Sequence, residues 1–366
     1  PHQKAGAARL LAHNGGLLAF DVGVGKTLTG IAVIAKLREE GRARRPVVIV
    51  PNSILFQWLK QIQRALPDYR VLVIGAERYM TPKGVLASRT DTAQQRAEKW
   101  RQFQSGGADL VLVSYSMFAR VGVRAESRAQ FVWASPPMLK RFGVEIRDDM
   151  REAATPDEKR KKKPRKASRA QLEKLLGGKF KGMTAEELER AGEELAKQNE
   201  RAQELHLQKL RQLLATLSSV SERERAILKD AVERWASDWE GAETDPGIYW
   251  EDLGIDCLLL DEAQNMKNLW PVPRRSGEQP PKYLGAIEEP SARALEFAIR
   301  AFLVRQRTGG SGVYLLSATP AKNSPLEYFS LLSLVDGDAW TPGQADHHSH
   351  EWLPERVFAA LHCGDR

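Results

Sequence analysis

The 366-residue sequence predicts an α/β fold, a parallel sheet sandwiched by helices, with an inserted helical hairpin. Three observations predict it. Short apolar runs alternate with helical periodicity near both ends of the chain, and a glycine-rich turn joins the first run directly to a helix. Between those ends the strand signal gives way to long helical repeats.

Taken in order, residues 17–20 are apolar and end in the glycine turn, after which Leu28, Ile31, Ala32, Ile34 and Ala35 recur at helical spacing. Residues 47–50, 71–74 and 110–113 are further short apolar runs, each flanked by polar or helical stretches, and read as buried strands. Residues 1–119 are therefore the first part of the sheet domain. Residues 120–250 read as a basic, mainly helical insertion. Eight of the eleven residues from 159 to 169 are basic and none is acidic, so this run either grips nucleic-acid phosphates or is a solvated tether. Thr184 with Glu187 and Ser221 with Glu224 have capping-box spacing ahead of two apolar stripes, the first running from Leu188 to Leu213 and the second carrying Ile227, Ala231, Trp235 and Trp239. Residues 251–366 resume the α/β pattern. Residues 257–260 form a strand, residues 269–290 a proline-rich loop, Ser291 caps a helix bearing Leu295, Ala298, Ile299 and Phe302, and residues 313–316 form another strand.

Composition narrows the class. With 42% apolar residues the chain can bury a large core, and no stretch approaches the roughly 18 apolar residues of a membrane span. Two cysteines, Cys257 and Cys363, exclude a disulfide framework and favour a reducing compartment. No signal peptide is evident, so the expected location is cytoplasmic or nucleoid-associated. A net charge of +8 attracts polyanions. The missing initiator methionine and irregular last residues read as a segment of a longer protein. His347, His348 and His350 read as a polar loop rather than a metal site. Trp235, Trp239 and Trp250 read as packing residues.

Three short motifs carry chemistry. Gly23, Val24, Gly25, Lys26 and Thr27 lie between a strand and a helix, where backbone amides at a helix N-terminus can cradle phosphate. Lys26 would reach the β- and γ-phosphates of ATP and Thr27 would ligate Mg²⁺. Asp261, Glu262, Ala263 and Gln264 directly follow a strand, so both carboxylates emerge at its C-terminal edge. Asp261 would hold Mg²⁺ and Glu262 would activate the attacking water. Ser317, Ala318, Thr319 and Pro320 follow another strand and place two hydroxyls on the same edge.

In this order the motifs resemble those of superfamily-two helicases, and in particular the Swi/Snf kind of double-stranded-DNA translocase. His2-Gln3-Lys4-Ala5-Gly6 is similar to that family's adenine-side Gln motif, and Pro51-Asn52-Ser53 through Trp58 resembles its motif Ia. Ser114-Tyr115-Ser116 is similar to motif Ib, while Asp261 through Asn268 and Leu316 through Leu332 resemble motifs II and III with their continuations. The resemblance implies the RecA-like fold of P-loop NTPases, with Gln3 reading adenine and Lys26, Thr27, Asp261 and Glu262 running ATP hydrolysis with Mg²⁺. It further implies that Gln264 and Ser317, Ala318 and Thr319 couple ATP to DNA, and that Pro51, Ser53 and Ser114 lie where DNA is touched. A second RecA-like lobe in the parent chain would complete the motor.

The sequence departs from the family pattern in places. Lys26 and Asp261 stand 235 residues apart, Phe20 replaces the first glycine of the strict phosphate loop, and Gln264 replaces a histidine. Such features resemble the helicase halves of large phage and mobile-element proteins that also carry methylase modules. Two other readings share the ATP motifs: a strand-separating DNA or RNA helicase, and a regulatory ATP-binding module without turnover.

Overall fold

The computed structural model describes residues 1–82, 85–135, 138, 222–239, 243–270, 291–321 and 326–336. The basic run at 159–169, the cap at Thr184 and Glu187, the stripe from Leu188 to Leu213, the cap residue Ser221, most of the 269–290 loop, Asn323, the histidine cluster and Cys363 lie outside them.

Helix α1 (His2–His13) leads into β1 (Gly16–Ala19) and α2 (Lys26–Glu39). Strand β2 (Pro46–Val50), a 3-10 turn (Asn52–Ile54), α3 (Leu55–Ala65) and β3 (Val71–Ile74) follow. Then come β4 (Ala76–Met80), β5 (Leu86–Thr90), α4 (Ala93–Gln104), β6 (Leu110–Ser114), α5 (Tyr115–Phe118) and α6 (Ala125–Ala134). Further along the chain the described elements are α7 (Glu222–Ser237), α8 (Trp250–Leu253), β7 (Cys257–Leu260), α9 (Ala292–Thr308), β8 (Val313–Ser317) and α10 (Leu326–Val335).

Six strands form one sheet in the order β1-β8-β7-β2-β6-β3, and every pairing is parallel. This is the RecA-like α/β architecture expected from the sequence. Every residue of β2, β6, β7 and β8 is buried, which explains why these strands read as continuous apolar runs rather than alternating ones. Alternate side chains serve two cores. Val48, Val50, Leu112, Leu259 and Leu316 pack with Ile31, Ile34, Trp58 and Ile62 of α2 and α3. Val47, Ile49, Val113, Leu260 and Leu315 pack on the opposite face with Trp100, Phe103, Phe297 and Phe302 of α4 and α9. Burying a large apolar side chain contributes about 1.5–3 kcal/mol, so the two faces together fix the strand register.

The stretches around Gly122 and Tyr249 meet. Gly122 pairs with Tyr249 in a parallel bridge, the Gly122 amide donates to Ile248 O at 3.0 Å and the Trp250 amide to Gly122 O at 2.8 Å. Asp245 is drawn in by the Arg96 guanidinium, whose Nε donates to Oδ2 at 2.7 Å with both residues buried. Arg96→Ala would leave that carboxylate buried and unpaired, and should lower stability by about 3–5 kcal/mol. Its melting temperature beside that of Asp245→Asn is the check.

The β4–β5 antiparallel hairpin has no counterpart among the sequence-predicted elements, because its mixed residues, such as Glu77, Arg78, Ser88 and Arg89, stand mostly in solvent and leave no apolar run. Helix α1 was likewise not anticipated as an element. It buries only Leu10 fully, so its apolar stripe is faint. Ser291 caps α9 as expected, its side chain accepting from the Ala294 amide at 3.2 Å. Trp250 is buried, and Trp235 and Trp239 pack against the same core, Trp239 donating to Glu296.

Candidate active site

In a parallel sheet every strand ends on the same edge, so the turns after β1, β7 and β8 are neighbours by construction. The first is the glycine turn. Gly25 caps α2 at φ 93°, and Gly23 lies at φ +83° with open space where a Cβ would stand. A Cβ on Gly25 would fall 2.0 Å from Gln3 Nε2, so glycine is required there both by backbone angle and by the close approach of α1.

Gln3 Nε2 donates to Val24 O at 3.2 Å, and His2 Nε2 shares that carbonyl at 2.9 Å. The Lys26 ammonium is nearly buried and donates to Phe20 O and Asp21 O, each at 3.1 Å. The lysine thus closes over its own loop, holding two neutral carbonyls that an anion would outbid. Thr27 stands half-buried one position further along α2.

Asp261 directly follows β7, with only 3% of its surface exposed. The Trp58 indole N–H, from α3, donates to its Oδ2 at 2.7 Å, and the Glu262 amide donates to Oδ1 at 3.0 Å. Burial pushes the Asp261 carboxyl above the ordinary aspartate value, with the Glu262 charge adding to the rise. The Trp58 bond and the Lys26 charge oppose it.

Glu262 is one of two non-glycine residues at positive φ among those described, at φ 54° and ψ 50°. Such a conformation costs about 1–3 kcal/mol and needs surroundings that enforce it. Its carbonyl accepts from the Tyr115 hydroxyl at 3.0 Å, from Asn265 Nδ2 at 2.8 Å and from the Asn265 amide at 3.1 Å. The same Tyr115 hydroxyl donates to Asp261 O.

A chain of hydrogen bonds then leaves Glu262. Gln264 Nε2 donates to Glu262 Oε2 at 2.7 Å, Ser317 Oγ donates to Gln264 Oε1 at 2.6 Å, and the Thr319 amide donates to Ser317 Oγ at 3.1 Å. Ser317 is fully buried, Ala318 half-buried and Thr319 exposed. One turn further, Lys267 pairs with the buried Glu327 of α10 at 2.6 Å.

The residues expected to touch DNA follow β2 and β6. Pro51 is half-buried and Ser53 exposed in the 3-10 turn. Ser114 is only 4% exposed, its Oγ 3.4 Å from that of Ser116. On this turn the outward hydroxyl is Ser116, bonded with Asn52 at 3.0 Å. Ser114 is the last residue of a strand covered on both faces, so its side chain is enclosed whichever way the pleat points it.

Sequence reasoning named Trp58 only as part of a pattern and gave Tyr115 no role. Both are buried aromatics with a polar tip. Such a tip must find a partner, and here the partners are the carboxylate and backbone of Asp261.

The site fits a magnesium–nucleoside triphosphate. An ammonium, glycine amides at a helix N-terminus, one hydroxyl and one buried carboxylate are the donors that such a complex uses, because Mg²⁺ takes few protein ligands and shares the phosphates. Among the described residues there is no denser group of His, Cys, Asp and Glu that could hold a metal.

Comparison with known proteins gives the chain relatives. Residues 2–135 match the SNF2-related domain family. The chain is 24% identical over 337 residues to "Defense against restriction protein B" of Escherichia phage P1, a match covering 91% of this chain and 13% of that protein. It is 41% identical over 56 residues to "ATP-dependent helicase fft1" of Schizosaccharomyces pombe, covering 15% of this chain and 6% of that protein. Among solved structures it is similar to the Sulfolobus solfataricus SWI2/SNF2 ATPase core in complex with dsDNA, at 13% identity and a TM-score of 0.39, covering 100% of this chain and 40% of that one. The chain thus spans 13% or less of the length of these two curated relatives.

Proposed function

From the match of residues 2–135 to the SNF2-related domain family, we propose that the chain is the ATP-binding lobe of a Swi/Snf-type motor, which hydrolyses ATP to translocate along double-stranded DNA. Residues 1–119 and 251–366 form the lobe and 120–250 the insertion. A second RecA-like lobe in the parent protein supplies the arginines that complete the site. The match across 91% of the chain to a phage protein supports a place within a large phage-type polypeptide. No described helix is long and apolar enough to cross a membrane, and a DNA motor would work in the cytoplasm or on the nucleoid.

The observation that carries this reading is the hydrogen-bonded chain from Glu262 through Gln264 to Ser317 and the Thr319 amide. It ties the hydrolytic carboxylate in the turn after β7 to the end of β8, beside the glycine turn after β1. In this reading Gln3 recognises adenine, while Gly23, Val24 and Gly25 offer amides and Lys26 its charge to the phosphates. Thr27 and Asp261 would hold Mg²⁺, which supplies charge neutralisation of the phosphates. Glu262 takes the proton of the attacking water, and Gln264 with Ser317, Ala318 and Thr319 passes the change in occupancy towards the DNA side. Pro51 and Ser53 contact the DNA backbone, and Ser114 supports the turn that bears Ser116.

The ATPase rate of the intact parent protein, with and without duplex DNA, tests the proposal, and clear stimulation by duplex is the expected result. Stimulation by single strands or RNA alone would instead establish a strand-separating helicase. ATP binding without turnover on any nucleic acid would establish a regulatory module.

Trp58→Phe keeps most of the packing and deletes the donor to Asp261. A buried acceptor left without its partner costs about 1–3 kcal/mol, so Mg²⁺-dependent ATP binding should weaken about tenfold. Binding of ATP without the metal should change little. A nucleotide titration at several Mg²⁺ concentrations separates the two.

A further inference from the structure

Beyond β3 the chain makes an excursion that the ATP site does not use. The β4–β5 hairpin leaves the same sheet edge as the motif-bearing turns and stands next to two of them. Its hinge, Gly75, lies at φ +110°, where a Cβ would come 2.4 Å from Met117 Cγ and 3.4 Å from Ser114 Oγ, so the hinge is pressed against the turn after β6. Its Arg78 guanidinium stacks over the Phe56 ring of α3 at 4.1 Å, beside the 3-10 turn after β2.

The base of the hairpin is rigid. Asp91 Oδ2 accepts from the Gly75 amide at 2.7 Å, the Asp91 amide donates to Gly75 O at 3.3 Å, and Lys99 pairs with the buried Asp91 carboxylate at 2.7 Å. The outer end is apolar and exposed: Tyr79 is 42% accessible, Met80 62% and Val85 60%. These are three of the eight large apolar side chains most exposed among the described residues.

Resting on the DNA-motor reading above, we propose that this hairpin is a further DNA-binding element, whose outer end enters a duplex groove with Tyr79 on one face of the ribbon, Met80 on the other and Val85 near its tip, while the turns at Asn52, Ser53 and Ser116 hold the backbone. Three apolar side chains are far too few for a stable protein interface, which needs about 800 Å² per partner. They suit a wedge that enters between base steps. Arg78 on Phe56, and Arg89 at 5.7 Å over Tyr79 with Glu77 beside it, put guanidinium groups and aromatic rings together, a pairing that serves phosphate and base contact at once. The hairpin's rigid base lets such a wedge act without the ordering cost of a mobile loop.

The test uses the intact protein with Tyr79→Ser, Met80→Ser and Val85→Ser combined, read by duplex-DNA affinity and by ATP affinity. With only one aromatic ring among the three side chains, duplex affinity should fall about 10- to 100-fold while ATP affinity stays unchanged. A photo-crosslinking amino acid at position 80 gives a second readout that does not depend on the triple variant folding, and it should attach to DNA. Unchanged duplex affinity, or crosslinks only to protein, would overturn the hairpin's role and leave the motor reading intact. A wild-type protein that binds no duplex would remove both.

Discussion

Glu262→Gln should bind ATP as the wild type does and turn it over about 10²- to 10⁴-fold more slowly, the range expected when a positioned general base is lost. The substitution removes the proton-accepting charge and little else. A glutamine Oε can still accept from Gln264 Nε2, so the chain of bonds to Ser317 survives, and the positive-φ backbone at 262 is held by Tyr115 and Asn265 acting on the main-chain carbonyl. Single-turnover hydrolysis together with an ATP dissociation constant reads both halves of the expectation. Turnover within about threefold of wild type would move the base role to another group.

Lys26→Ala should fail one step earlier. The ammonium is the one side-chain charge in the glycine turn that can replace its two carbonyl partners, Phe20 O and Asp21 O, with phosphate oxygens. A charge-assisted hydrogen bond of this kind is worth about 1.5–3 kcal/mol, so ATP affinity should fall about 10- to 100-fold. The turn itself should persist, because Gly23, Gly25 and the Thr29 hydroxyl bond to Gly25 O set its shape. Isothermal titration with ATP and Mg²⁺ checks this, and an affinity equal to wild type would place the phosphates elsewhere. The two variants together separate binding from chemistry.

The parts of the fold legible in the sequence were those buried on both faces. Residues 47–50, 110–113, 257–260 and 313–316 all fall within wholly buried strands of the six-stranded sheet, since burial on two sides demands an unbroken apolar run, and residues 71–74 form the half-buried edge strand beside them. The hairpin of β4 and β5 was not legible, because a ribbon standing in solvent has no such demand on its side chains. The motif residues were legible as a list, and the strand ends do gather them on one edge. What the list could not contain was the wiring. That Trp58, 203 positions away, would donate to Asp261, or that Ser114 would be enclosed and leave Ser116 facing out, follows from packing and register rather than from residue type.

The order of the strands has one further consequence. β8 lies between β1 and β7, so the end of the strand bearing Ser317 occupies the gap between the lysine's strand and the carboxylates' strand, with neighbouring strands about 4.8 Å apart. A molecule gripped by both flanks must span that middle position. Ser317 stands at that position with its hydroxyl bonded to Gln264 on one side and to the amide of the exposed Thr319 on the other, so displacement of either flank would strain a single hydroxyl.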